Sequence, residues 1–390
     1  MKKNLALLSI LFLFLFLPAH SQKPDSLLSK IEQWKIKHLL KGLTIQVYLD
    51  AYYVGNIGGT IPTTHTYEFQ SNSPYINEAR VNMFDVLINY NLSWARMMAE
   101  FRLGDQPLLL SNSTAQWTNY LNQASLGFHL FKGFWVDFGY LDSELGVESS
   151  MPINNLLSTC TVGTYFEPSS VLGGFLSYTT DDQVWMLGAW AGNAFSLPSG
   201  KNIHISYGID VSYTPTDKLT VSFNNFMGNV AKSGASYIKY LSYNNLYATW
   251  NPTSKLNLIA QCDVGFQKVS SKDVDSIQMG TVVSGLIGAR YYVVPKFALA
   301  LRAEVFYDPK NIMIGKSYTG KTNDFIIYGL TAGVEFNPGN DAYIRVQYSY
   351  LTTGQPDVKP FNEVFTNSTP SHFWPDYLRQ CYTITTGLRF

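Results

Sequence analysis

The sequence predicts an all-β fold, a transmembrane antiparallel β-barrel of about sixteen strands with a short N-terminal periplasmic helix. Three observations lead there. An export signal opens the chain, apolar and polar residues alternate with a period of two from Leu43 onward, and short connections alternate with long ones. Composition agrees. Aromatic residues make up 15 % of the chain and charged residues 14 %, against about 25 % charged in an ordinary soluble domain. Mean hydropathy is nevertheless near zero. Alternation between lipid and water along every strand produces that combination.

Residues 1–21 read as a secretory signal: Lys2 and Lys3, an apolar run from Leu5 to Leu17, then Ala19-His20-Ser21 before Gln22. The run is too short to span a bilayer as an anchor. Without Lys2 and Lys3 the chain carries two more acids than bases, so no strongly basic balance argues for a nucleic-acid partner. Cys160, Cys262 and Cys381 are odd in number and far apart, so neither a disulfide framework nor a metal site is expected. No phosphate loop, calcium loop or metal-ligand spacing is present, and no cofactor is expected.

Residues 22–41 are expected to lead into the barrel, which occupies 42–390. Within the lead-in, 25–40 places Leu27, Leu28, Ile31 and Leu39 at helical spacing, with Asp25 or Ser26 as cap. The pattern leaves open whether this helix plugs the lumen. From Leu43 the period becomes two. Strands are expected at 43–53, 78–91, 93–104, 119–131, 133–141, 171–179, 183–192, 204–214, 218–228, 238–250, 255–268, 279–293, 296–307, 324–336, 341–351 and 378–390. The softest boundary is Asn89–Trp94, where the turn has no Gly or Pro, so fourteen or eighteen strands remain possible counts.

The last strand carries the clearest alternation. Tyr382, Ile384, Thr386, Leu388 and Phe390 share one face, and Cys381, Thr383, Thr385, Gly387 and Arg389 the other. An aromatic at each end of the apolar face suits rings at the two headgroup levels. An open edge would leave unpaired backbone groups in hydrocarbon, so this strand is expected to close against the first. Short connections carry turn chemistry, as at Lys132-Gly133, Thr214-Pro-Thr-Asp217 and Asn337-Pro-Gly-Asn340. Long ones fall at 54–77, 104–118, 142–170, 193–203, 229–237, 269–278, 308–323 and 352–377. A soluble sandwich has no reason to sort its loops this way, whereas an outer-membrane barrel has turns on the periplasmic side and loops outside.

The order Asn122-Gln-Ala-Ser-Leu-Gly-Phe128, Phe134-Trp-Val-Asp-Phe-Gly-Tyr-Leu141, Leu145-Gly-Val-Glu-Ser149, Tyr165-Phe-Glu-Pro168 and Gly173–Tyr178 resembles the OmpL-like β-barrel porins (beta-barrel porin 2) of Bacteroidetes-type bacteria. Gly42–Tyr53 resembles the family's opening strand. The resemblance implies an outer-membrane diffusion porin with no catalytic residues to carry over. Its partners would be outer-membrane lipid and small hydrophilic solutes or ions, with a homotrimer possible and the barrel assembly machinery recognising the strand that ends at Phe390.

For transport, the inward face of the strands is the site. Alternation points Asp50, Arg96, Glu100, Arg102, Asp137, Asp263, Arg290, Arg302, Glu304, Arg345 and Arg389 inward, and Glu148 lies in the long 142–170 connection. The slight excess of arginine implies a weak anion preference or a transverse field of opposed signs. The same residues can instead brace the wall as cross-strand pairs, Glu100 with Arg102 and Arg302 with Glu304 being two apart. The 142–170 connection, with Asp142, Glu144, Gly146, Glu148 and Pro152, either folds inward as a constriction or covers the mouth from outside. Two other readings stay open. One is a barrel closed by its loops or by residues 25–40 and acting as an anchor or surface-binding component of a larger assembly. The other is an outer-membrane enzyme using His204 and Ser206, but no Gly-x-Ser-x-Gly elbow supports it. Exposed aromatics in His372-Phe-Trp-Pro375 would join the outer girdle or contact a partner.

Overall fold

A computed structural model describes residues 41–58, 66–67, 69–110, 120–143, 145–168, 170–194, 204–230, 237–271, 274–314, 325–353 and 378–390. The expected signal, the helix over 25–40, Glu144 and the His372–Pro375 stretch lie outside them.

Sixteen strands form one closed antiparallel barrel. They are β1 Leu43–Gly58, β2 Ala79–Asn91, β3 Ala95–Leu103, β4 Leu121–Phe131, β5 Phe134–Asp142, β6 Ser170–Thr179, β7 Trp185–Ala194 and β8 Ser206–Thr216. The second half continues with β9 Leu219–Asn229, β10 Tyr237–Thr253, β11 Leu256–Ser271, β12 Val274–Val294, β13 Phe297–Asp308, β14 Phe325–Gly339, β15 Ala342–Thr352 and β16 Leu378–Arg389. Each strand pairs with its sequence neighbours, and β16 closes on β1 in the register Asp50↔Gly387, Tyr52↔Thr385 and Val54↔Thr383. Closure leaves no strand edge to lipid, as expected for a sheet in hydrocarbon.

Alternation fixes which face is which. In β13 Leu299 and Leu301 are about half exposed while Ala298, Ala300, Arg302 and Glu304 are buried. In β16 Ile384 and Leu388 are outward while Cys381, Thr383 and Thr385 are buried. A one-residue slip would exchange these sets, so register is strongly specified. Aromatic residues gather at the turn end of the outer face, where Phe134 lies 4.5 Å from Tyr178, Trp185 4.3 Å from Tyr213 and Phe297 4.9 Å from Phe336.

The turn at 92–94, which lacks Gly and Pro, closes by the Leu92 N–H donating to the Ala95 carbonyl at 2.8 Å. Lys132 and Gly133 both take positive φ, as a tight hairpin requires. One expectation is corrected. Residues 269–278 are not a long loop: β11 and β12 run on to Ser271 and Val274, pairing Lys268↔Met279 and Ser271↔Val274. The alternating sequence simply continues past the length that lipid demands.

The buried residues lie largely inside the barrel. Phe69, Val162, Trp190, Phe226, Phe306 and Phe325 belong to one apolar cluster, and Phe166 stacks on Phe306 at 5.0 Å. Among the described residues, the long connections hold two short α-helices, α1 Asp105–Leu110 and α2 Val162–Phe166.

Candidate functional site

The connection between β5 and β6 runs inside the barrel. Its backbone is held by side chains that alternation points inward from β10 to β15. The Gly146 N–H donates to Asn245 Oδ1 at 3.2 Å, Val147 N–H to Gln261 Oε1 at 2.7 Å and Val162 N–H to Glu304 Oε2 at 2.7 Å. Gln347 accepts from the Ser158 N–H at 2.8 Å and donates to Thr159 Oγ1 at 2.7 Å. Arg290, Arg302 and Arg345 donate to the carbonyls of Asn155, Thr159 and Pro152. Backbone groups withdrawn from water need partners, and the strand wall supplies them.

Glu148 knots the loop. One carboxylate oxygen pairs with Arg302, and the other accepts from Thr161 N–H at 2.7 Å, Thr161 Oγ1 at 2.9 Å and Thr164 Oγ1 at 3.0 Å. Thr161 caps α2. Arg302 and Glu148 have side chains only 2 % exposed, so each charge depends on the other for the hydration it has lost. Farther along, Glu167 accepts from Gln261, which also donates to Asp263 Oδ2 at 2.8 Å. Burial, and then the neighbouring Asp263 charge, push the Glu167 carboxyl well above the usual range. The Cys160 thiol, buried in the same loop, is pushed up to about 12. Residues 69–77 are also drawn in: Asn82 donates to Asp50 Oδ2 at 3.0 Å and accepts from the Ser73 N–H at 2.9 Å, while Asn72 donates to Cys160 Sγ at 3.2 Å.

The charged residues selected from the sequence all face the interior or lie in this loop, and the structure divides them. Asp263, Arg290, Arg302, Glu304 and Arg345 are on the wall that holds the loop, with Glu148 in the loop itself. Arg345 and Arg290 share Glu335, the latter at 3.2 Å. Asp50 is buried beside Asn82. Glu100 and Arg102 pair at 2.7 Å, and Arg102 also binds Asp85 at 2.8 Å. Arg389 sits at the turn end with Asp341 at 3.0 Å and Asn154 at 3.2 Å.

Arg96 and Asp137 alone of that set line the open space. A cavity of about 460 Å³ lies along the opposite wall, β2 to β8, bounded by Asn89, Asn91, Arg96, Gln123, Ser125, Asp137, Asp142, Phe175, Trp190 and Asp210 among others. Register builds this wall from a straight cross-strand row: Arg96↔Gly127, Gly127↔Asp137, Asp137↔Phe175, Phe175↔Trp190 and Trp190↔Gly208. Gly127 lets Arg96 reach over β4 to Asp137, since a methyl there would overlap the Asp137 carboxylate. Arg96 Nε donates to Asp137 Oδ1 at 2.7 Å, and its guanidinium lies 4.6 Å over the Trp135 ring. Phe175 lies against Gly188 and Trp190 against Gly208, positions where a Cβ would collide with the ring.

Selecting by charge overlooked the rings of Phe175 and Trp190, and the selection also left out two inward carboxylates, Asp85 and Asp210. The signal for all four was the same alternation, which already placed them opposite the lipid-facing residues. Ser206, once paired with His204 as an enzyme candidate, is fully buried beneath Gly228. Among the described residues no group of three or more potential metal ligands occurs.

A closed sixteen-strand barrel with lipid-facing apolar residues and an inward loop defines the class: an outer-membrane porin barrel. The chain belongs to the family described as "Putative beta-barrel porin-2, OmpL-like", whose model matches residues 42–381, and it resides in the outer membrane of a Gram-negative bacterium. Solved structures share the fold at low identity. The outer membrane channel DcaP of Acinetobacter baumannii has a TM-score of 0.58 and 11 % identity, covering 89 % of this chain and 97 % of its own. An anion-selective porin from Comamonas acidovorans has 0.56 and 11 %, covering 89 % and 99 %. Salmonella typhi OmpF, in complex with daunomycin, has 0.56 and 13 %, covering 89 % and 97 %. No curated protein matches the chain.

Proposed function

We propose that the protein is a passive diffusion channel for small hydrophilic solutes, which cross the outer membrane through the part of the lumen bounded by β2–β8. The observation that carries this reading is the cavity of about 460 Å³ along that wall. Sixteen strands enclose more space than side chains alone fill. Passage is by size and charge, with no chemical step and no cofactor. Arg290, Arg302 and Arg345 act on solutes only indirectly, by holding the loop, while Arg96 and Asp137 meet the path itself. Trimers are a reasonable assembly, since an outer membrane protein of Vibrio cholerae with a TM-score of 0.51 is described in a trimer form.

The purified, refolded protein in a planar bilayer should give stepwise, long-lived openings. Silence from a barrel shown to be folded would sink the reading. It would favour the second one, a barrel closed by its own loops and serving as an anchor or surface-binding component. That alternative draws support from the apolar cluster of Phe69, Val162, Phe306 and Phe325 within the lumen.

A further inference from the structure

We propose that the open side of the lumen is a sugar-binding path, on which a neutral pyranose lays a flat C–H face on Phe175 and hydrogen-bonds to the ion pair beside it. The inference rests on the diffusion reading and names the solute class the path favours. Register strings the parts along one row: Asn91↔Arg96, Arg96↔Gly127, Gly127↔Asp137, Asp137↔Phe175 and Phe175↔Trp190. Asn89 and Ser125 stand two residues along from that row, both paired with Met98. All of these except Gly127 line the cavity, whose volume falls within the range of about 300–1,000 Å³ usual for small-molecule sites. Side chains directly opposite across a strand pair stand about 5 Å apart, so a solute resting on Phe175 has the ion pair at its rim. Two glycines lay the rings down. A Cβ on Gly188 would stand 2.5 Å from the far edge of Phe175, and one on Gly208 2.2 Å from the Trp190 indole. Each ring therefore leans over the backbone of the next strand instead of standing up into the lumen. Phe175 is half-buried and leaves one face to the cavity, while Trp190 is largely covered and ends the row against the apolar cluster.

An aromatic face is electron-rich and attracts the weakly positive C–H groups on one side of a pyranose. The hydroxyls at the sugar's rim both donate and accept, and they need both from the wall. Arg96 uses Nε and one Nη on Asp137 and has further N–H groups, with its side chain 37 % exposed. Asn89, Asn91 and Ser125 each donate and accept. Charge argues for a neutral solute. Arg96 and Asp137 neutralise each other, Asp142 interacts with Arg102, and Asp210 has an interaction of its own. A charged solute would have to compete with these contacts, whereas a hydroxylated one adds hydrogen bonds and leaves every pair intact. The arginines that would attract anions, Arg290, Arg302 and Arg345, are turned to the loop carbonyls on the far wall.

The test adds four probes to open channels in a planar bilayer: methyl β-glucoside, sorbitol, glucuronate and glucosamine as its ammonium. Sorbitol keeps the hydroxyls but has no ring face, and the last two keep the ring and add one charge of either sign. Methyl β-glucoside should interrupt the current, with sorbitol at least about tenfold weaker, the step expected from losing one ring contact, and neither charged sugar stronger. Phe175→Leu should weaken block by the glucoside about tenfold and Phe175→Trp should retain it, with unit conductance in salt little changed in both. Equal block by sorbitol, stronger block by a charged sugar, wild-type block in Phe175→Leu, or no block by any probe would overturn the proposal and leave the diffusion channel standing. Should a folded barrel fail to open, calorimetric titration of methyl β-glucoside into wild type and Phe175→Leu, in a detergent without sugar head groups, decides the matter alone. Weaker binding to the variant supports the sugar path. No binding to wild type, or equal binding to both, refutes it.

Discussion

Arg302 shows what a residue-level reading gains from partners distant in sequence. It lies inward on β13 by simple alternation, yet its work is to hold Glu148 and the Thr159 carbonyl, both more than 140 positions earlier. Arg302→Gln strands a buried carboxylate, a loss of about 3–5 kcal/mol by analogy with broken buried pairs. Single-channel records should then show larger, noisier openings as the loop leaves the wall. Glu167 adds a pH dependence whose sign is fixed by its environment. A carboxyl raised above its unfolded range holds its proton in the docked loop, so docking is favoured in acid. That contribution fades as pH climbs from the ordinary glutamate range, about 4.3, towards the raised value. Conductance should rise with pH over that interval, and Glu167→Gln should flatten the profile. An unchanged profile in the variant would assign the effect to another group.

Strands were legible in the sequence because two solvents impose their period, and each of the sixteen appeared close to where alternation placed it. What failed was the 269–278 connection, where the pattern continued past the lipid boundary and the reading stopped at it. The loop after β5 was not legible. Its mixture of Leu145, Val147, Met151, Leu156 and polar residues suits either side of the mouth, and its partners, Asn245, Gln261, Glu304 and Gln347, lie on strands far along the chain. Glycines within strands are equally silent until pairing is known. Gly139 has φ +140°, and a Cβ there would overlap the Ala124 carbonyl of β4. Gly139→Val should cost about 1–3 kcal/mol in backbone strain before the overlap is counted. The heat-modified gel shift should then occur at lower temperature than in wild type. Gly339→Ala, with nothing within 4 Å of the added methyl, should leave it unchanged.

At the scale of the molecule, the barrel has two unlike halves. The β10–β16 half is lined by a loop bound through side-chain hydrogen bonds, and the β2–β8 half faces the cavity. Charge selection from the sequence treated all inward arginines as one set and so favoured anions or a transverse field. That set splits because the loop covers Arg290, Arg302 and Arg345 and leaves Arg96 beside its carboxylate. The division between the halves is tested most directly by thiol modification of open channels. In a Cys262→Ser background, which removes the exposed native thiol, Ser125→Cys and Gln347→Cys are compared with a charged, membrane-impermeant thiol reagent. Current should fall promptly for Ser125→Cys and stay steady for Gln347→Cys. A fall for Gln347→Cys with Ser125→Cys unaffected would place the water path on the other wall and contradict the arrangement described.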